Sequence, residues 1–430
     1  MPVTDGAGAT ATETPVEPQS VLRHRPFALF WFARIASILS FQMLAVAVGW
    51  QLYALTGSAL DLGLVGLAQF LPMVVLTLLV GHVADRYPHR SILLTCQLVE
   101  AVAAAILVFQ TATGRIDRLS ILVIMAAVGA ARAFELPTMA AIIPGLVPRA
   151  LVPTATAWSA SANQTAQIVG PAIGGLLYML SPMVVYATGI VCWCAGSALI
   201  AMIPADKRPR AHEPLSIRSL FGGFSFVRHD RVILGILSLD LFAVLLGGAT
   251  ALLPIFARDV LGTGPWGLGL LRSAPAVGAL AMSLVLARRS LQPPIGPTLF
   301  RVLIVFGAAT VVFGLSTHIV LSFCALAVLG AADVVSVVIR FSLVQLHTPD
   351  AMRGRVSAVN ALFVGTTNTL GDFESGVVAA LLGAVPAVVV GGVGTIAVAV
   401  IWMMFLYPEL RRLHSFEDVG PVADARLKTA

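Results

Sequence analysis

The sequence predicts an all-α membrane protein of twelve transmembrane helices arranged as two six-helix pseudo-repeats. Three observations carry that expectation: an apolar composition, a series of long apolar runs, and an internal repeat. Of the 430 residues, 58% are hydrophobic and only 11% charged, and mean hydropathy is +0.92. Ordinary soluble domains carry about 25% charged residues, so these charges are too few to cover the surface of a water-soluble fold of this length. Four cysteines, all inside apolar runs, exclude a disulfide scaffold and read as small packing residues.

A helix needs about 20 apolar residues to cross a bilayer. Residues 1–22 are rich in Ala, Thr, Pro and Glu and lack an apolar core; they are expected to form a disordered cytoplasmic tail rather than a signal peptide. Spans follow at 27–55, 60–84, 91–111, 119–145, 154–180, 183–203, 231–257, 266–287, 298–316, 319–346, 356–382 and 385–407. Turn residues separate them, among them Thr56-Gly57-Ser58, Tyr87-Pro88-His89, Ser181-Pro182 and Pro293-Pro294. The runs are longer and more continuous than the alternating strands of about ten residues in a membrane β-barrel. The chain thus divides into an N-terminal bundle at 23–203, a cytoplasmic linker at 204–230, a C-terminal bundle at 231–407 and a tail at 408–430. The linker sets Lys207, Arg208, Arg210 and Arg218 beside Leu220, Phe221, Phe224 and Phe226, the pattern of an interfacial helix on an anionic leaflet.

Net charge is +6. In a soluble protein that value would suggest nucleic acid, but here the basic residues occupy short loops, so topology accounts for them and no nucleic-acid partner is expected. With the N-terminus inside, twenty Lys and Arg fall on the cytoplasmic side and three, Arg115, Arg118 and Arg258, on the other. That asymmetry places both termini in the cytoplasm. Arg34, Arg132, Arg272 and Arg340 remain within spans.

The halves repeat. At a separation of 201 residues Gly129-Ala130-Ala131-Arg132 meets Gly330-Ala331-Ala332-Asp333, Pro148 meets Pro349, Gly170 meets Gly371 and Gly175 meets Gly376. At 203 residues Gly66 meets Gly269 and Pro72 meets Pro275. Parallel repeats of six spans are the arrangement of carriers that rock two bundles around a central site.

Between the second and third spans stands Gly81-His82-Val83-Ala84-Asp85-Arg86-Tyr87-Pro88-His89-Arg90. It resembles the G-x-L-A-D-R-x-G-R-R loop of the major facilitator superfamily, departing at Pro88 and His89. A carboxylate there can accept hydrogen bonds from a neighbouring helix N-terminus and pair with loop cations, so Gly81, Asp85, Arg86 and Arg90 are expected to form a conformational latch. Arg288 replaces the acid in the second half. The fifth span carries Gly170-Pro171-Ala172-Ile173-Gly174-Gly175, similar to the G-P-x-x-G-G motif of drug/proton antiporters, which favours export; simple helix packing is the alternative. Arg132-Ala133-Phe134-Glu135 is close to the R-x-x-Q opening of a further superfamily signature. With Thr348-Pro349-Asp350-Ala351-Met352-Arg353-Gly354-Arg355 and the stretch from Gly262 to Pro275, the likeness narrows to the enterobactin-exporter-like branch, over about 25–412. The resemblance implies the major facilitator fold, a bacterial inner membrane and a monomer. It also implies secondary active efflux of a small amphipathic molecule, siderophore or drug-like.

Proton coupling would require a carboxylate whose ionisation burial opposes. Glu135, Asp240, Asp333, Asp372 and Glu374 are candidates. Asp372 and Glu374 are about 200° apart on a helix and cannot share one cavity. Glu135, three residues after Arg132, lies on the same helix face and can pair with it. Arg34 and Arg132 are read two ways, as contacts for an anionic cargo or as permanent partners of Glu135 or Asp240; Glu100 and Arg340 are read as latch partners rather than ligands. An importer or a lipid flippase would keep the same fold. A membrane enzyme is disfavoured because neither H-E-x-x-H nor G-x-S-x-G occurs, and an ATP-driven pump because G-x-x-x-x-G-K-[ST] is absent. No cofactor or metal is expected; the partners are membrane lipid, a small-molecule substrate and protons.

Overall fold

A computed structural model of the chain describes residues 18–204, 224–228, 230–289, 291 and 293–416. The expectations for 1–17, for most of the linker and for 417–430 lie outside the described residues. Twelve long helices run through the described residues: α1 (Arg25–Thr56), α2 (Ala59–Arg86), α3 (His89–Ala112), α4 (Arg118–Ala141), α5 (Val152–Tyr178), α6 (Pro182–Ala201), α7 (Arg231–Leu246), α8 (Gly264–Arg288), α9 (Ile295–Leu315), α10 (Ile319–His347), α11 (Asp350–Leu382) and α12 (Ala384–Ile401).

Local chemistry sets their ends. Pro26 begins α1, where its missing N–H costs nothing, and Gly57 closes it at φ 61°. The Ser58 hydroxyl caps α2 by accepting from the Asp61 amide, and Asp117 caps α4 by accepting from the Ser120 amide at 3.0 Å. Hydrogen bonds from the Ser120 hydroxyl and amide hold the Asp117 carboxyl below the ordinary range. Asp230 caps α7 through the amides of Val232 and Ile233 and meets His347 Nε2 at 3.0 Å. Burial pushes the Asp230 carboxyl up, but His347 and those amides outweigh it and hold it below the ordinary range.

Packing repeats between the halves pair for pair. In the first, α1 lies on α5 and α6, α2 on α4, and α3 on α4 and α6; in the second, α7 lies on α11 and α12, α8 on α10, and α9 on α10 and α12. The small residues matched in sequence mark these crossings. A Cβ on Gly129 of α4 would stand 2.1 Å from the Gln69 carbonyl of α2, and one on Gly330 of α10 would stand 2.0 Å from the Pro275 carbonyl of α8.

Two differences from the sequence expectation have local causes. The span expected at 231–257 is broken after α7 and continues as a 3-10 turn (Ala249–Leu252), a short helix (Leu253–Ile255) and a π-helix (Phe256–Val260). Gly247 and Gly248 stand at the break, and a Cβ on Gly248 would meet the Gly371 carbonyl at 2.4 Å, so α11 crosses there on bare backbone. The span expected at 119–145 ends at Ala141, and Ile143–Leu146 forms a separate turn led by Pro144.

By length and hydropathy, ten helices among the described residues qualify as membrane spans; α5 and α11 are not among them. Both lie at the junction of the halves, α5 on α8 and α11 on α2. Gln164 of α5 and Asp372 of α11 lie in the seam between bundles rather than on a lipid face.

Candidate functional site

Among the described residues the seam is closed on the side away from the chain termini. Gly175 of α5 meets α8 so closely that a Cβ would stand 2.6 Å from the Pro265 carbonyl, and Gly269 returns the contact at 2.4 Å from the Pro171 carbonyl. At the related crossing a Cβ added to Gly376 of α11 would stand 2.9 Å from the Gly63 Cα on α2. Ser273 donates to the Ile168 carbonyl at 2.7 Å and Gln164 to the Ala276 carbonyl at 2.8 Å. At the outer edge of the same side the Tyr53 hydroxyl donates to Asp259, and Arg258 Nη1 reaches the Tyr53 carbonyl at 3.4 Å. The motif residues Gly170 and Gly174 face α1 instead, where added Cβ atoms would stand 2.6 Å from Gln42 Cβ and 2.9 Å from Met43 Cα. Pro171 is buried within the helix between them. The motif therefore builds one three-helix junction of α1, α5 and α8.

Inside the N-terminal half, α1, α3, α4 and α6 converge on a buried polar cluster. Arg132 Nη1 lies 3.7 Å from Glu135 and 3.9 Å from Glu100. Its guanidinium sits 3.6 Å above the Phe41 ring, a cation–π contact. Ser37 donates to Glu135 at 2.6 Å, and Ser197 donates to Gln97 at 3.0 Å. Glu100 is 0% exposed, and neither of its carboxyl oxygens has a hydrogen-bond partner. Arg34 is near enough to feel the Glu135 charge, but its Nε is likewise unpartnered.

The C-terminal half carries a counterpart. Arg340 forms an ion pair with Asp240 and lies 3.9 Å from Asp333, while its Nε donates to the Ser336 carbonyl at 3.3 Å. This group borders a cavity of about 120 Å3 lined also by Asn360, Thr367 and Asn368. Asp333 is 46% exposed at its side chain and is the carboxylate there with least protein cover. Each half thus sets an arginine beside two carboxylates, Arg132 in the first and Arg340 in the second, although the sequence repeat matches Arg132 with Asp333.

A third group lies at the seam. Asp372 accepts from Thr250 at 3.1 Å and, with Arg272 and Gln69, lines a cavity of about 90 Å3. Glu374 points elsewhere, 3.5 Å from the Ser375 hydroxyl, as the helical separation from Asp372 requires.

Among the expected latch residues, Arg86 is exposed at the end of α2. Arg90 donates to the Ile203 carbonyl at 3.0 Å, tying α3 to the end of α6 and satisfying a helix C-terminus. Gly81 and Asp85 lie in the last turns of α2, and their side chains are outside the described residues. Arg132 stands beside Glu135 and Glu100, while Asp240 pairs with Arg340. The Tyr53–Asp259 contact joins residues about 200 positions apart, and no spacing in the sequence announces it. Among the described residues no group of three or more His, Cys, Asp or Glu is placed to hold a metal ion.

Two repeated six-helix bundles, joined across α2–α11 and α5–α8 around buried polar clusters, define the fold of a major facilitator transporter. The chain belongs to the family described as transmembrane secretion effectors, whose profile matches residues 16–424. It is 26% identical to the enterobactin exporter EntS of Citrobacter koseri, an alignment covering 93% of this chain and 95% of that one. The EntS of Escherichia coli O1:K1 is also 26% identical, over 90% of this chain and 93% of its own. Among solved structures, a bacterial homologue of the lysosomal transporter Spinster, inward-facing and unoccupied, superposes with a TM-score of 0.70 at 14% identity, over 93% of this chain and 99% of that one. The nucleoside transporter NupG gives 0.70 at 14% identity, over 88% and 98%.

Proposed function

We propose that the chain is a proton-coupled exporter of a small amphipathic molecule, siderophore or drug-like, working by alternating access in a bacterial inner membrane with both termini in the cytoplasm. The observation that carries this reading is the pairing of a glycine-tight seam on the side away from the termini with a buried Arg–carboxylate cluster in each half. Two bundles that meet on bare backbone can part and rejoin as rigid bodies, and charges buried at mid-membrane cost at least about 2.5–3.5 kcal/mol each. Such groups persist where ion or substrate movement uses them. In this reading the described state, closed by Gly175, Gly269 and the Tyr53–Asp259 contact, is the state that loads cargo from the cytoplasm. The α1–α5–α8 junction built by the Gly-Pro motif, and the exporters among the relatives, favour export over uptake.

The test is substrate-dependent proton movement in inverted membrane vesicles. A fluorescent pH probe reports while catecholate siderophores and lipophilic cations are added one at a time. Proton release that follows one compound class and requires this protein supports the reading; release indifferent to the protein across the panel overturns it.

A further inference from the structure

In the N-terminal cluster Arg132 stands beside two carboxylates, and the two are not equivalent. Glu135 lies nearer Arg132, at 3.7 Å, accepts a short hydrogen bond from Ser37, and has Arg34 as a second cation in its field. Glu100 is further away, at 3.9 Å, is wholly buried, and has no hydrogen bond on either oxygen. A buried carboxylate keeps its charge only when donors and cations surround it. An ionised Glu100 would have only Arg132 beside it, shared with Glu135, and no hydrogen bond on either oxygen. The groups that face Glu100 from these helices are Arg132 and Glu135 on α4 and the indole of Trp193 on α6, with Cys96 on its own helix. The Trp193 Nε1 also lacks a partner.

We propose that Glu100 carries the transported proton in the N-terminal half, and that Arg132 alternates between Glu135 and Glu100 as the proton binds and leaves. In the described state Arg132 serves Glu135, and Glu100 holds the proton as a neutral acid. Before the halves rearrange, as cargo enters from the cytoplasm, Arg34 takes over Glu135, Arg132 turns to Glu100, and the O–H bond of Glu100 breaks, its proton passing to water on the cytoplasmic side. The cluster goes from one net positive charge to none as the proton leaves, and at both stages every ionised carboxylate faces a guanidinium. Two features fit Arg34 for this exchange: its place on α1, which packs against α5 at the seam, and its unpartnered Nε. This assignment rests on the proton-coupled reading above.

The experiment separates the two. Purified protein in lipid nanodiscs is measured by infrared difference spectroscopy in H2O and D2O, which detects the C=O stretch of a buried neutral carboxyl without any substrate. The wild type should show an isotope-sensitive acid band, lost in Glu100→Gln and retained in Glu135→Gln. Should Glu100→Gln fail to insert, Glu100→Asp should shift the band rather than leave it in place. In vesicles, Glu100→Gln should continue substrate exchange while losing substrate-linked proton movement. A wild type without the band, or a band unmoved by either substitution at position 100, overturns the assignment. Retained proton coupling in Glu100→Gln overturns it as well, with coupled transport intact. Absence of proton movement in the wild type instead removes the coupled-export reading, while the infrared result still decides whether Glu100 holds a proton.

Discussion

Substituting Gly175→Ala adds one methyl group at the contact between the halves. That Cβ would stand 2.6 Å from the Pro265 carbonyl oxygen and 3.0 Å from the Gly269 Cα. Both are backbone atoms of a facing helix, so no side-chain rotation relieves the overlap and α5 and α8 must separate. Overpacking of this kind costs about 1–3 kcal/mol. Because the contact exists only where the halves meet, the cost falls on the state closed on that side. At about 1.4 kcal/mol per factor of ten, the ratio of closed to open populations should drop roughly 5- to 150-fold. Spin labels at the exposed positions Leu180 and Leu382, one in each half, would read the opening by pulsed EPR, with the exposed or half-buried cysteines Cys192, Cys194 and Cys324 replaced. The control is Gly174→Ala, whose Cβ would press on Met43 of α1 at 2.9 Å within one half. It should destabilise the bundle by a similar amount without lengthening the label distance. An unchanged distribution in Gly175→Ala, or equal lengthening in Gly174→Ala, would refute the argument that this glycine closes the seam.

Tyr53→Phe removes a hydrogen bond to a charged acceptor, worth about 1.5–3 kcal/mol, and the same label pair should shift toward the open distance. Asp240→Ala leaves Arg340 buried with only Asp333 at 3.9 Å; breaking one partner of a buried pair costs about 3–5 kcal/mol, readable as a lower unfolding midpoint in detergent. Asp230→Ala removes the cap of α7 and should cost about 1–2 kcal/mol at neutral pH. Because the Asp230 carboxyl is held below its ordinary range, its contribution is present above the unfolded-state value and lost as pH falls through the lowered one, so melting curves of variant and wild type should converge in acid. Asp85→Asn should stop transport while leaving membrane insertion intact, and normal turnover in that variant would remove Asp85 from the latch.

Helix number and repeat were legible because the bilayer demands long apolar runs and the repeat leaves small residues at the same crossings. Gly129 and Gly330 matched in sequence and both pack on a carbonyl of the neighbouring helix. The break at Gly247 was not legible as such: hydropathy continues through Leu252 and Leu253, and the interruption comes from the approach of α11, a long-range contact. Arg132 with Glu135 was visible from its i,i+3 spacing. Glu100 as the second acid was not, because α3 and α4 meet through tertiary packing that no local spacing encodes. The same holds for Asp240 with Arg340, one hundred residues apart on α7 and α10.

The most direct test of coupled export uses purified protein in proteoliposomes, with a compound identified in the vesicle panel and an imposed pH gradient. The account predicts accumulation of that compound against its own gradient in the acidic compartment, reversal when the pH gradient is reversed, and loss of accumulation with a protonophore. Movement at the same rate and to the same level with and without the gradient would contradict it.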